Sequence, residues 1–272
     1  MLDASEVAEV ERAVRRVAEE QILPRFGRLT AADIAFKTSE TDYVTVADRA
    51  AEEELAKHLT AAVPGSIMVG EEAVAADPSL LAAINGDAPV WIVDPIDGTH
   101  NFVSGSPRFT TLVALAHRGR LLASWTYAPV LDLMAVATAG GGAYVDGQRV
   151  RVRPVEPVLR HLDVSVSPPI WWKPAQRDGF HRLSARGVAL SFFDTSGLEY
   201  IQLASGRRTA MVLTWELPWD HAAGLLLHAE AGGVALAADG SPVRIGGGNA
   251  LPFLVAPDPE TARLVLSALD PT

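Results

Sequence analysis

The chain contains no cysteine. Disulfides, thiolate nucleophiles and cysteine-held zinc are therefore excluded from its chemistry. A cysteine-free chain suits a reducing compartment, so a cytoplasmic location is expected. Positive charge is also scarce: 23 Lys+Arg stand against 33 Asp+Glu, a formal charge of −10. Sequence-independent binding to nucleic acid or to an anionic membrane needs a basic footprint, so neither is expected as a partner. A small phosphorylated substrate remains open, because bound divalent cations invert the local sign. No apolar run approaches the ~18 residues of a membrane span. The charged stretch Met1–Glu20 lacks the apolar core of a signal peptide. Internal repeats, low-complexity tracts and Gly/Ser linkers are missing as well. What remains is a globular composition, 49% apolar and 21% charged over 272 residues, enough for one large or two small domains.

Apolar periodicity organises the chain. Val7, Val10, Val14 and Val17 recur at helical spacing, with Ile22 following, and Pro24 and Gly27 close that helix. Ala47, Ala51, Leu55 and Leu59 form a second stripe, ended by Pro64-Gly65. Two short strand-like runs, Ile67–Val69 and Val90–Val93, each stop abruptly at carboxylates. From Thr110 to about Val152 the pattern is an antiparallel meander: Thr111–Ala116, Leu121–Tyr127, Leu133–Ala137 and Ala143–Val152, with turns at Arg118-Gly119 and Asp146-Gly147. The second half mixes strands (Leu162–Val166, Val188–Phe193, Arg208–Leu213) with helices (Ser196–Ala204, Pro218–Ala231, Pro259–Leu269). Strands and helices are interspersed around a central meander. This predicts two layered α/β halves, 1–155 and 156–272, rather than a purely parallel array.

The chemistry concentrates in four acidic segments. In Asp94-Pro95-Ile96-Asp97-Gly98-Thr99-His100-Asn101-Phe102, a buried strand delivers Asp94 to its end and Pro95 stiffens the turn. Asp97 is expected at the cap of the following helix, where free amides can hold a phosphate oxygen. The competing reading is that Asp-Pro and Asp-Gly are simply favoured turn dipeptides. Gly70-Glu71-Glu72 ends the neighbouring strand in the same way. Carboxylates within ~4 Å of one another repel by several kcal/mol and need protons or a cation. With oxygen donors only, that cation is a hard ion such as Mg²⁺. Glu216-Leu217-Pro218-Trp219-Asp220-His221 places Pro218 at the first helical position and Asp220 in the opening turn, where the helix dipole favours its charge. In Asp42-Tyr43-Val44-Thr45-Val46-Ala47-Asp48, Asp48 opens the second helical stripe. Each of the last two segments, alone, reads more readily as ordinary helix-start chemistry.

Taken together the four segments resemble the inositol monophosphatase family of Mg²⁺-dependent, lithium-sensitive phosphomonoesterases. Lys37 to Asp48, Gly70-Glu71-Glu72, the Asp94–Phe102 run and Trp219-Asp220 with its following Ala231-Gly232-Gly233 occur in the family's order. The resemblance implies a layered αβαβα sandwich of the inositol monophosphatase and sugar phosphatase type. It also implies two or three Mg²⁺ ions. Glu71, Asp94 and the Ile96 carbonyl would hold one ion; Asp94, Asp97 and Asp220 would hold a second; Glu71 would help hold a third. Thr99, paired with Asp48, would orient the attacking water. Asp97, Gly98, Thr99 and Ser196 would contact substrate, and the protein would be a homodimer.

Substrate choice departs from the pattern. Leu213 stands where inositol-selective relatives carry a glutamate seven residues before the aspartate of the Trp-Asp pair, and Asp194-Thr195-Ser196-Gly197 replaces a Gly-Thr-Ala segment. Glu199 and Glu216 are candidates to supply the missing carboxylate. Histidinol phosphate, a sugar bisphosphate or a nucleotide bisphosphate are therefore alternatives to an inositol phosphate. Two further readings compete: a phospho-aspartate phosphatase built on Asp97-Gly98-Thr99, and a metal- or partner-binding protein without turnover. Among smaller signals, His221 and His228 share a helix face and read as packing groups. Trp171-Trp172 reads as an interface loop. Arg149, Arg151 and Arg153 read as a solvated strand face, and Arg207-Arg208 as a turn pair.

Overall fold

The computed structural model describes residues 2–37 and 43–269; Asp42, which opens the first acidic segment, lies outside them. Helix α1 (Ala4–Val17) begins at Asp3, whose carboxylate accepts from the Ser5 and Glu6 amides while Glu6 reaches back to the Asp3 amide. Its stripe Val10, Val14 and Val17 is buried. Strands β1 (Ile34–Phe36) and β2 (Tyr43–Thr45) form a small antiparallel ribbon leading into α2 (Val46–Ala62). Strand β3 (Ile67–Gly70) runs straight into the short α3 (Glu71–Ala76). Strand β4 (Pro89–Asp97) leads to α4 (Thr99–Val103). The meander follows as β5 (Thr110–His117), β6 (Arg120–Ala128), β7 (Leu133–Thr138), β8 (Gly142–Val145) and β9 (Gln148–Val150). Its predicted turns are present. Arg118-Gly119 and Asp146-Gly147 take positive φ at both residues, the geometry that matches strand twist in a tight hairpin. The second of these divides Ala143–Val152, expected as one strand, into β8 and β9.

The remaining elements are β10 (Asp163–Val166), α5 (Pro174–Ala185), β11 (Ala189–Phe192), α6 (Ser196–Ala204), β12 (Ala210–Leu213), α7 (Pro218–Glu230), β13 (Val234–Leu236), β14 (Phe253–Ala256) and α8 (Pro259–Leu269). Among the described residues a seven-stranded sheet runs β3-β4-β5-β6-β7-β8-β9, parallel only at β3/β4. A five-stranded sheet runs β11-β10-β12-β14-β13. Helix α5 and strands β13 and β14 have no clear signature in the sequence. In α5 the apolar residues Phe180 and Leu183 make too sparse a stripe, and β13 and β14 are very short.

Strand alternation builds the layers. Trp91 and Val93 of β4, with Val113 and Leu115 of β5, pack under α1 and α2. Val90, Ile92, Leu112 and Ala114 from the same strands face α7. In the second sheet Met211 and Leu213 of β12 and Phe253 and Val255 of β14 pack against Tyr200 and Leu203 of α6. Their neighbours Ala210, Val212, Leu254 and Ala256 pack against α5 and α8. The order is therefore helices, sheet, helices, sheet, helices, the αβαβα sandwich. Helix α7 is buried nearly all round, as a helix between two sheets must be. Among the described residues no helix is long and apolar enough to cross a membrane.

Candidate active site

The site forms where β3, β4, α2, α6 and α7 converge. Thr45 caps α2, its hydroxyl accepting from the Ala47 amide at 3.1 Å, while Asp48 returns a carboxylate to the Thr45 amide at 2.8 Å. That box leaves the other Asp48 oxygen 3.3 Å from the Thr99 hydroxyl, which also lies 3.0 Å from the Ile96 carbonyl oxygen. Burial raises the Asp48 pKa to about 7; the Thr45 bonds oppose the rise, and Glu72 and Glu71 add to it. The predicted Asp48–Thr99 pairing is thus present in the geometry.

Strand β4 does not stop at Asp94, as expected; it continues to Asp97 with an irregular register between the two. The irregularity lets both carboxylates turn inward. Asp94 accepts from the Ile96 amide at 3.0 Å and is buried. Burial, then Glu71, Asp97, Asp220 and Asp48, raise its proton affinity well above the ordinary carboxylate range. Asp97 does not cap its own helix. Gly98 takes that position at φ 89°, where a Cβ would stand 2.5 Å from Thr195 Cγ2, so only glycine fits. The Asp97 carboxylate instead accepts from the Gly197 amide at 2.7 Å, the Ser196 amide at 3.3 Å and the Thr110 hydroxyl at 2.9 Å. Burial raises its pKa against those bonds. It thereby caps α6 from the other half of the chain.

Pro218 starts α7 and puts Asp220 in its first turn, as predicted. Burial, then Asp97 and Glu71, push its carboxyl well up, opposed by the Trp215 indole N–H and by Lys37. The Ser196 hydroxyl donates to the Asp220 carbonyl at 2.9 Å. Glu71 opens α3, and the Lys37 ammonium bridges it, at 2.7 Å, to Glu72.

The donors in this cleft are carboxylates and one carbonyl, oxygens throughout, and their mutual repulsion calls for positive charge. That chemistry fits a hard divalent cation. Among the described residues no three of these side chains close into a ready cage. Each is held apart by its own internal donor: Lys37 for Glu71, the Ile96 amide for Asp94, α6 amides for Asp97 and Trp215 for Asp220.

Other expected residues lie elsewhere. Leu213 is buried in the core between α6 and β14 and presents nothing to a ligand. Glu216 is committed to a loop, accepting from the Asn249 amide at 2.9 Å and its side chain at 2.8 Å. Glu199 is buried against the Ser165 hydroxyl and Arg208. Arg208 is not a plain turn charge: it ties Asp163 and Glu199 together. His221 and His228 are both buried packing groups; His228 Nε2 donates to the Ala256 carbonyl at 2.8 Å. Trp172 packs on Phe180, leaving Trp171 and Ile170 outward. Glu52 was not apparent from sequence. It sits one turn beyond Asp48 on α2, and its only signal is that spacing.

Comparison with known proteins bears on the family and the fold. Residues 3–269 match the profile of the Inositol monophosphatase family. An inositol monophosphatase of Dictyostelium discoideum is 35% identical over 204 residues, 72% of each chain. Nus factor SuhB of Pseudomonas aeruginosa is 32% identical over 229 residues, 80% of each. The solved structure of extragenic suppressor protein suhB from Bartonella henselae superposes with a TM-score of 0.81 at 25% identity, covering 97% of this chain and 98% of that one. Sequence, fold and the clustering of buried carboxylates lead to one conclusion: the chain belongs to the inositol monophosphatase family, whose inositol monophosphatases are phosphoric monoester hydrolases.

Proposed function

We propose that this protein hydrolyses a small phosphate monoester with Mg²⁺ and water. One observation carries the reading. Asp94 and Asp97 at the end of strand β4 and Asp220 in the first turn of α7 converge in one cleft, where Glu71 and Asp97 raise the proton affinity of both Asp94 and Asp220. Glu71, Asp94 and the Ile96 carbonyl would hold one Mg²⁺, and Asp94, Asp97 and Asp220 a second, with Glu71 contributing to a third. Bound there, the metal supplies Lewis acidity and lowers the pKa of water from its bulk ~15.7.

The chain's own groups do the rest. Asp48 accepts from the Thr99 hydroxyl, turning the lone pairs of that oxygen toward the attacking water. As the water oxygen bonds to phosphorus, its proton passes to Thr99 and the Thr99 proton to Asp48. The ester P–O bond breaks opposite the incoming oxygen, releasing the alcohol and phosphate. The Gly98 and Thr99 amides, at the opening of α4, receive phosphate oxygens. Ser196, fixed by Asp220, borders the leaving alcohol. Direct attack by Asp97 gains no support, because both its oxygens already accept internal donors.

The substrate is read as inositol-phosphate-like. A histidinol phosphate, sugar bisphosphate or nucleotide bisphosphate is the second choice, favoured by the burial of Leu213 and the commitment of Glu216. The same reading divides the chain into halves 1–155 and 156–272. It makes the outward Ile170 and Trp171, 74% and 49% exposed, a homodimer face and sets the protein in the cytoplasm. Phosphate release from a panel of esters tests it. Release is expected only with Mg²⁺, and Asp94→Asn is expected to lower kcat on the order of 10²–10³-fold. Turnover undiminished in a chelator overturns it. Millimolar LiCl is expected to inhibit, read from the same assay. A second reading, a cation-binding protein without turnover, draws on the relative named Nus factor SuhB. Mg²⁺ binding with no hydrolysis across the panel would favour it.

A further inference from the structure

Glu52 is a carboxylate in an unusual place. It lies on α2 four residues after Asp48, within the buried stripe Ala47, Ala51, Leu55 and Leu59, and is itself buried. Its two oxygens accept from the amides of Glu72 and Ala73, each at 2.8 Å. Those amides belong to the first turn of α3, directly after Glu71. The close approach depends on Gly70, because a Cβ there would overlap the Glu52 carboxyl group. The Glu71 and Glu72 side chains turn instead to Lys37. One face of α2 therefore meets the site twice: Asp48 reaches Thr99, and one turn later Glu52 fixes the strand-to-helix corner that presents Glu71.

We infer that Glu52 is a positioning residue, holding the Gly70–Ala73 corner so that Glu71 is aimed at the cation site. The inference rests on the reading of Glu71 as a cation ligand. A buried carboxylate that only capped a helix would affect folding stability and nothing else. One that aims a ligand changes cation affinity through that ligand alone.

Two separable measurements test this on the full chain: Mn²⁺ affinity by EPR titration, and thermal unfolding without cation. Glu52→Ala loses both amide bonds and is expected to weaken Mn²⁺ binding at least ten-fold. Glu52→Gln keeps one acceptor oxygen and is expected to fall between that variant and the unaltered protein. Gly70→Ala, which expels the carboxylate, should match Glu52→Ala. In a Glu71→Gln background the effect of Glu52→Gln on affinity should vanish, as a double-mutant cycle requires when one residue acts through another. Affinity unchanged in Glu52→Gln, or an effect persisting in full beside Glu71→Gln, overturns the inference even if the unfolding temperature drops. Should Glu52→Ala not fold, the Glu52→Gln cycle decides alone. No Mn²⁺ binding by the unaltered chain would overturn the reading of the site, and this inference with it.

Discussion

Asp48 carries two duties that pull against each other. In the folded chain, burial raises its pKa to about 7, whereas an unfolded aspartate titrates near 3.8. Between those values the folded state binds more protons. The stability contributed by this group is therefore complete below 3.8 and is lost as pH rises through about 7. Asp48→Asn cannot ionise and keeps an oxygen for the Thr45 amide. Without cation at pH 8 it is expected to be more stable than the unaltered protein by on the order of 1 kcal/mol or more, the gap being smaller at pH 5 and closing only below 3.8. Urea unfolding at the two pH values measures this. Its kcat is expected to drop at least about 10²-fold, since the variant cannot take the proton from Thr99. Residue identity at this scale was largely readable. Asp48, Glu71, Asp94, Thr99 and Asp220 stand out because each acid follows an apolar run or opens a helix. Asp97 was recognised but misassigned, because a local cap and a distant cap look the same in one dimension.

Helix α7 shows what an element adds. Its only polar side chains are Asp220, His221, His228 and the terminal Glu230, and His228 Nε2 reaches the Ala256 carbonyl, tying α7 to β14. Burial lowers the His228 pKa to about 4, against 6.5 for the unfolded residue. The unfolded state binds the extra proton in that window, so this contribution is present above 6.5 and lost as pH falls through about 4. The buried carboxylates titrate over an overlapping range with the opposite sign. A difference measurement isolates the histidine. The stability advantage of the unaltered protein over His228→Gln is expected to shrink from pH 7 to pH 4 by as much as about 3 kcal/mol. A constant gap across that range counts against the assignment. Elements with long stripes (α1, α2, α7) or strict alternation (β5, β6) were legible from sequence. Helix α5 and strands β13 and β14 were not, because their burial comes from neighbours rather than from a repeating pattern of their own.

At the scale of the molecule the site is a junction. Asp48, Glu71, Asp94 and Asp97 come from the part of the chain before residue 155, and Ser196 and Asp220 from the part after it. A cation binding only the assembled form stabilises the whole by about 2.7 kcal/mol at a hundred times its Kd. For a chain of this size that raises Tm by roughly 5–10 °C, measured by calorimetry with and without saturating Mg²⁺. Asp94→Asn should abolish most of the rise. A Tm indifferent to Mg²⁺ would mean that the carboxylates do not share an ion.

Composition, apolar period and short acidic motifs, all properties of the chain taken a few residues at a time, determined the layered α/β class, the family and most of the acids at the site. Their information is local, and local information suffices for turns, caps and stripes. Only the tertiary structure decided that Asp97 caps α6, that Glu52 braces the corner beneath Glu71, and that Leu213 and Glu216 are turned away from the cleft. Each of those depends on which buried group meets which donor across the layers, and the energy of burying a charge is set by those distant partners rather than by sequence neighbours.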